Sequence, residues 1–477
     1  MEFFKEDHVV PEVFKGVNNR LFIIAVVFYS MLVVCSVDDF FFWDTVQLAS
    51  KHAGFFLKNG LVPSFLPNEL DSGHIPAFGY FIACIWTVFG KTLIASHLCL
   101  LPFIWIQIYF LKKILDGFQL KYAGLLFILC LLHPTLIAQN TLVSPDVVLM
   151  GFFLMSVYAM LNQKQSLLIV GAIGLVLISN RGVMVLAGLG VFDFLMRFLD
   201  RNSIFSKITI RQLSCYLPAA VIFLTYSFLH YSTLGWIGFH EHSPWNESFR
   251  TGGADMFVRN LLTVTWRFND FGLWFPVISG LIFIFFMRRD LFRDLQFRSV
   301  FFLFLCISVF LILPAMLFFS LSGHRYLMPS TLILLLLSGM VFTRFRYGII
   351  LIAVSMASLL AGHLYVYPET LSQGWDSSLA YKPYIKLRSQ MVDYMDRSGI
   401  LFAETATFFP NKNTDDHLLL NGSDRIMKAF DEGKHTYVFY SNVYNVADKD
   451  QQSLYEHYTI VKQYYSRGVK VVLFKIR

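Results

Sequence analysis

Residues suited to proton transfer and to phosphate binding recur at a few points of this chain. Asp38 and Asp39 stand side by side just after an apolar run, followed by the aromatics Phe40 to Trp43 and a third acid, Asp44. His74 precedes Ile75–Pro76, Asp146 follows Pro145, and Arg181 follows Asn180. Further on come His240–Glu241–His242 and His324–Arg325–Tyr326. A carboxylate can take a proton from a hydroxyl or amide nucleophile, and guanidinium or imidazole groups can hold a phosphate. Read singly, each residue also has an ordinary explanation. The acid pair could be interfacial punctuation, Asp146 with Ser144 suits a helix start, and Arg181 could be a snorkelling cation. His74 fits a solvated loop, Asp44 a solvated helix face, and the aromatics an interfacial belt on the first turns of a juxtamembrane helix. The His-x-His spacing is weak as a metal signature. No Gly-rich phosphate loop, HExxH or GxSxG motif is present.

What gives these residues meaning is where the chain places them. Of 477 residues, 56% are hydrophobic and only 15% charged, and mean hydropathy is +0.56. A soluble protein of this length needs far more surface charge, so the composition predicts a multi-span helical membrane protein. The net charge of +7 comes from short basic clusters between apolar runs. Those are topology determinants and give no sign of nucleic-acid binding. All six cysteines fall in apolar segments, which argues against a disulfide framework. The first twenty residues are too acidic and too long for the n-region of a cleaved signal peptide, so the first apolar run reads as a retained anchor.

Apolar runs predict eleven crossings, near 21–37, 93–111, 123–139, 145–161, 165–180, 183–199, 213–231, 272–287, 299–319, 327–343 and 347–365. Four basic clusters test the count. They are Lys112/Lys113/Lys121, Arg197/Arg201/Lys207/Arg211, Arg288/Arg289/Arg293/Arg298 and Arg344/Arg346. All are cytoplasmic together if the N-terminus (1–20) is inside and these runs are the only full crossings. The stretch IPAFGYFIACIWTVF (75–89) would invert that map if it crossed. As a helix it reaches about 22 Å, short of a ~30 Å hydrocarbon core, and is read as a juxtamembrane or half-inserted helix.

The outer face then receives the first outer loop (38–92), residues 140–146, the turn at Asn180–Arg181, 232–271, 320–326 and everything after 366. All the acids and cations named above meet there, as a site handling a phosphate-bearing lipid requires. After 366 the composition turns polar. YIKLRSQMVDYMDRSG predicts an amphipathic helix, HTYVFYSNVY a strand, and YTIVKQYYS with GVKVVLFKIR a hairpin turning at Arg467–Gly468. This outlines a small α/β domain over 366–477.

The motifs resemble those of the GT-C class of membrane glycosyltransferases. The nearest branch is the bacterial relatives of dolichyl-phosphate-mannose–protein mannosyltransferases and of the lipid A aminoarabinose transferase (glycosyltransferase family 39/83-like). DDFFFWDTVQLASK resembles the acidic signature opening that family's first outer loop, and SGHIPAFGYFIACIWTVFG its His/Lys-Pro-Pro stretch. SPDVVLMGFFLMSVYAM resembles its Thr/Pro-Asp span start, SNRGVMVLAGLGVF its Thr-Lys-Gly turn, and GHRYLMPSTLILLL its Arg-Tyr-Leu-Pro span. The second acid is Asp39 where Glu is usual, Ile75 replaces a proline, and Arg181 replaces a lysine, a change that keeps a phosphate partner.

The resemblance implies a GT-C fold over 21–365 and an inverting transfer of sugar from a polyprenyl-phosphate donor, such as an undecaprenyl phosphate sugar. The acceptor would be a protein, a lipid such as lipid A, or a cell-envelope glycan, met on the extracytoplasmic face of the inner membrane. By the same resemblance Asp38 is the catalytic base, with Asp39 supporting it or a metal. His74, Arg181 and Arg325 lie near the donor phosphate, and Asp146, Tyr326 and Trp43 shape the site. A divalent cation as cofactor is left open, with Asp39, His240 and His242 as candidate ligands. Two other readings stand beside the enzyme: a transporter or flippase of lipid-linked intermediates, and a receptor or assembly subunit. A transporter usually shows inverted repeats and midplane charges. Here no repeat is visible and the charges gather at one face.

The topology has a direct test. A reporter fused after residue 380 is expected to be active only outside the cytoplasm. A cytoplasmic signal there would make 75–89 a true crossing.

Overall fold

The computed structural model describes residues 16–199, 207–243 and 245–477. Arg201 of the second basic cluster and most of the N-terminal segment 1–20 lie outside the described residues. Every predicted crossing coincides with a helix or a broken helix pair, but the lengths vary. Among the described residues, four helices are long and apolar enough to cross a membrane: Leu93–Phe118, Ile210–Leu234, Leu295–Leu317 and His324–Phe342. Two bent pairs raise this to six, so length and composition do not reproduce the count of eleven. One pair, Ala123–Leu131 with Pro134–Asn140, bends by 60° where His133–Pro134 removes a backbone donor. The other, Ala254–Asn269 with Trp274–Leu291, bends by 97° at Phe271–Gly272, both left-handed. Asn19–Val34, Pro145–Leu161, Gln165–Ile178 and Gly348–Gly362 are apolar but shorter.

Helix His324–Phe342 is the axis of the bundle; 94% of its apolar window is buried. It packs against Leu295–Leu317, Trp274–Leu291 and Ala123–Leu131. Arg325 sits at its start, while Arg344, just beyond its far end, pairs with Asp294. Similarly, helix Asn180–Leu199 carries Arg181 at one end and Arg197 at the other. The basic clusters and the candidate site therefore occupy opposite ends of the same helices.

The stretch read as a half-inserted helix is Ala77–Phe89, 13 residues, or about 20 Å. It crosses helix His52–Lys58 so closely that a Cβ on Gly79 would stand 2.3 Å from the His52 Cβ. One helix was hidden in the predicted outer loop 232–271. Ala254–Asn269 turns Asn260, Val264 and Arg267 inward and leaves Phe257, Val258, Leu261 and Leu262 exposed.

The C-terminal domain is a five-stranded sheet under one main helix. The strands are β1 (Thr405–Thr407), β2 (Lys428–Ala429), β3 (Tyr437–Ser441), β4 (Tyr458–Ser466) and β5 (Val469–Ile476). Their order is β2-β1-β3-β5-β4; β1 is parallel to β2 and β3, and the other pairings are antiparallel. The predicted hairpin is β4–β5, turning at Arg467 (φ 49°) and Gly468 (φ 83°), as a tight hairpin requires. The predicted helix is Lys382–Arg397, which buries Tyr384, Leu387, Met391 and Met395 against Phe439, Val471 and Leu473.

Phe40 and Phe42 belong to this same core. The aromatic run was expected to begin a helix resting at the membrane interface. It instead has no regular secondary structure, and helix begins only at Asp44. Phe42 stacks on Tyr381 at 4.9 Å, and Phe40 meets Tyr384 edge-on at 5.8 Å. The rings escape water inside the junction between bundle and domain rather than in lipid headgroups. Arg388, 1% exposed, sits behind Phe40 with its guanidinium 5.1 Å from the ring centre.

Phe42→Ala deletes a fully buried ring from this junction, at an expected cost of about 3–5 kcal/mol. Thermal unfolding of the purified protein measures it, and an unchanged melting point would show that the junction is not cohesive.

Candidate active site

Five separate segments bring charge to one place beside a large cavity. The first is the turn after Phe42. The Thr45 hydroxyl accepts from the Phe42 N–H at 2.9 Å and donates to the Phe42 carbonyl at 2.7 Å. With Trp43 left-handed (φ 52°), the chain swings into helix with Asp44 facing inward. The helix from Asp44 runs through a π-turn, Val46–Lys51, of a kind frequent at functional sites.

The second segment starts helix Pro145–Leu161. Ser144 caps it, accepting from the Asp146 N–H at 3.1 Å, and leaves Asp146 fully buried in the first turn. A carboxylate there is favoured by the positive end of the helix dipole. The third is Arg181, second residue of its helix, whose Nη1 lies 2.5 Å from Asp146 Oδ1. Gly182 next to it lets two helices meet, since a Cβ there would stand 1.8 Å from the Leu175 carbonyl oxygen.

The fourth segment is His324–Arg325–Tyr326. Arg325 is 7% exposed and reaches three carboxylates. It pairs closely with Asp44, lies 3.4 Å from Asp146 Oδ2, and lies 3.1 Å from Asp376 Oδ2 through Nε. The Tyr326 ring lies under both guanidinium groups, 4.5 Å from that of Arg181 and 4.9 Å from that of Arg325. His324 Nε2 bonds Asp270 Oδ2 at 2.7 Å, which ties the start of this helix to the bend at residue 270.

Asp376 arrives on the strap between the last helix and the C-terminal domain. Gln139 Nε2 donates to its carbonyl at 2.7 Å. Burial pushes its carboxyl pKa up, while Arg325 pulls it down and Asp44 and Asp146 add to the rise. The cluster thus holds three carboxylates and two guanidinium groups.

His74 approaches from the first outer loop. Burial and the nearby Arg181 charge lower its pKa to about 4, so it is a neutral imidazole at pH 7. Its loop is clamped at several points. Asn180 donates to the Gly73 carbonyl at 3.0 Å, Tyr226 to the His74 carbonyl at 3.2 Å, and Asp71 pairs with His230 at 2.9 Å.

The cavity beside the cluster has a volume of ≈ 990 Å³. Asp44, Gln47 and Lys51 form one wall, Arg325, Tyr326 and Asp376 another, and Phe409, Lys412 and Tyr444 of the C-terminal domain a third. Trp43 lines it too, edge-on to Phe409 at 5.7 Å.

The structure therefore brings together His74, Asp146, Arg181, Arg325 and Tyr326, with Trp43 at the cavity wall. It places Asp38 and Asp39 elsewhere. Asp38 is exposed, does not line the cavity, and makes no side-chain hydrogen bond or ion pair among the described residues. Asp39 pairs with Lys382 of the C-terminal domain, so its charge is used at the junction. The metal candidates are also dispersed. His242 is exposed beside Glu241 at 3.7 Å, and among the described residues no three His, Cys, Asp or Glu side chains form a metal-binding group.

Two residues of the cluster escaped the sequence reading. Asp44 was taken as a solvated helix residue. Its signal is the helical spacing of Asp44, Gln47 and Lys51 around the apolar Val46, Leu48 and Ala49. Asp376 lies in a polar stretch with no motif, and only the fold brings it to Arg325.

This arrangement resembles the GT-C fold of membrane glycosyltransferases: an apolar helical bundle, a loop with short helices after the first helix, and a charged cluster at one end under the C-terminal domain. No protein-family profile matches the chain, and no curated protein sequence does. Solved structures do match. ArnT from Cupriavidus metallidurans, bound to undecaprenyl phosphate, superposes over 94% of this chain and 97% of its own, with TM-score 0.51 and 13% identity. The mycobacterial arabinofuranosyltransferase AftD matches 97% of this chain with TM-score 0.50 and 9% identity. This chain spans 40% of AftD's length.

Arg325→Met would leave Asp44, Asp146 and Asp376 crowded together with Arg181 as their one guanidinium. Breaking a buried ion pair costs about 3–5 kcal/mol. A marked fall in melting temperature is expected, largely recovered when Asp44→Asn is added. A melting temperature that does not move would mean the cluster is not formed.

Proposed function

We propose that this chain is an integral-membrane glycosyltransferase that moves a sugar from a polyprenyl-phosphate donor to an acceptor on the outer face of the membrane. The observation that carries this reading is the convergence of Asp44, Asp146, Asp376, Arg181 and Arg325 on a cavity at the end of the bundle opposite the basic clusters, in a GT-C fold. The solved relative ArnT holds undecaprenyl phosphate, which supports a polyprenyl-phosphate donor here as well.

The chemistry follows from the layout. The acceptor's hydroxyl or amine attacks the anomeric carbon as its proton passes to a carboxylate. The bond from that carbon to the phosphate oxygen breaks, and the lipid phosphate leaves with the electron pair. One displacement inverts the anomeric centre. Asp44 is the base in this reading, because it lines the cavity and belongs to the first outer loop. Arg325, paired with Asp44, can turn toward the departing phosphate as Asp44 takes up the acceptor's proton. Asp146 holds Arg181 and Arg325 at fixed spacing, and neutral His74 can donate one hydrogen bond to a phosphate oxygen. The flippase reading has no use for a base and cations gathered at the helix ends.

Purified protein with a polyprenyl-phosphate sugar and an acceptor extract should transfer sugar. Asp44→Asn should lower kcat by about 10²–10⁴-fold, the range for a lost general base, with donor binding retained. Asp38→Asn should stay close to full activity. The reverse result, Asp38→Asn dead and Asp44→Asn active, would return the base to the acid pair and refute the assignment made here.

A further inference from the structure

Lys51 and Lys412 face the same cavity from two distant parts of the chain. Lys51 closes the π-turn Val46–Lys51, seven residues beyond Asp44 on one continuous helix. Lys412 comes from the C-terminal domain, and its backbone is held firmly. Its N–H donates to the Phe408 carbonyl at 3.0 Å. The neighbouring Asn411 is 1% exposed and accepts from buried Arg388 Nε at 2.7 Å. Asp415 then sits between Arg388 and Arg425 at 3.1 and 3.0 Å.

Among the described residues neither ammonium group has a hydrogen bond or an acidic partner. The contrast with nearby lysines is informative. Lys382 and Lys91 also bridge bundle and domain, and each is matched to a carboxylate, Asp39 and Asp416 respectively. Lys51 is half-buried; burial lowers its pKa, and the charge of Lys412 lowers it further. Trp43, in the same cavity lining, has its indole N–H buried without an acceptor among the described residues. The two ammonium groups thus face a cavity whose lining also holds Asp44, Glu69, Glu247 and Asp376, and among the described residues neither is paired with any of these acids. Two cations facing each other repel, and a multivalent anion offsets both the repulsion and the lost hydration. The guanidinium groups of the reacting cluster differ, since carboxylates already match them.

We propose that Lys51 and Lys412 form an anion subsite for the acceptor, which therefore carries a phosphate group set apart from its reacting hydroxyl or amine. The helix from Asp44 to Lys51 rises about 10 Å, which sets the separation between the two. The word acceptor rests on the glycosyltransferase reading; the anion site does not.

The test uses the full-length protein with two probes. Inorganic pyrophosphate is titrated calorimetrically, and phosphatidic acid retention is measured from nanodiscs against phosphatidylcholine. The variant Lys51→Met/Lys412→Met should bind at least tenfold more weakly, Lys412→Arg should bind as the native chain does, and exposed Lys449→Met should change nothing. Lysine-dependent binding of phosphatidic acid alone assigns the phosphate to a lipid headgroup. Lysine-dependent binding of pyrophosphate as well assigns it to a glycan or other soluble carrier. If neither probe's binding depends on these lysines, the proposal is overturned. In transfer assays the double variant should raise KM for a phosphorylated acceptor at least tenfold, with donor KM and kcat within threefold. Anion binding through these lysines in a protein that transfers no sugar would remove the glycosyltransferase reading and leave the subsite. Transfer with lysine-independent anion binding would do the opposite.

Discussion

The guanidinium of Arg325 is the contact on which the rest of the structure depends. It joins Asp44 of the first outer loop, Asp146 at a helix start, and Asp376 on the strap to the outer domain. A buried cation with three acidic neighbours is costly to assemble and very costly to break in part. Each partner must therefore be held by its own scaffold: the Thr45 ring of hydrogen bonds for Asp44, the Ser144 cap for Asp146, and the Gln139 contact for the strap. His324, tied to Asp270, fixes the helix end from which Arg325 projects. The long apolar helices supply the rigidity that makes this convergence possible.

The C-terminal domain is part of that scaffold. Phe40 and Phe42 enter its core, Lys382 takes the charge of Asp39, and Lys91 pairs with Asp416. Apolar burial and paired charge thus lock the domain over the cavity it helps to line. A small, mostly polar domain becomes one wall of a cavity whose other walls belong to the bundle.

Much of this was legible in the sequence because it rests on local signals. The apolar runs located the helices, the basic clusters sorted their ends, and alternation with a Gly turn gave the β4–β5 hairpin. His74, Asp146, Arg181, Arg325 and Tyr326 were found because each stands at the end of an apolar run. The acid was harder. Asp38 and Asp39 drew attention as an adjacent pair, yet the choice among three acids within seven residues depends on a single left-handed residue, Trp43, that no pattern announces. Asp376 and Lys412 were illegible because their importance comes from contacts across hundreds of residues. The aromatic run was misplaced for a related reason: hydrophobicity shows that a ring leaves water, but not whether lipid or protein receives it.

The strap that carries Asp376 orders events in time as well as in space. A chain is made from its N-terminus, so Asp44, Asp146 and Arg181 are present while the later helices are still unmade. Arg181 and Asp146 can pair at that stage, and Asp44 has no cation of its own until residue 325 emerges. The third carboxylate follows only when helix Gly348–Gly362 is finished and the segment beyond it has been made. A chain that ends before residue 325 therefore lacks both the central cation and the cavity wall formed by Phe409, Lys412 and Tyr444. The charged cluster closes only late in synthesis, after most of the bundle around it has been made.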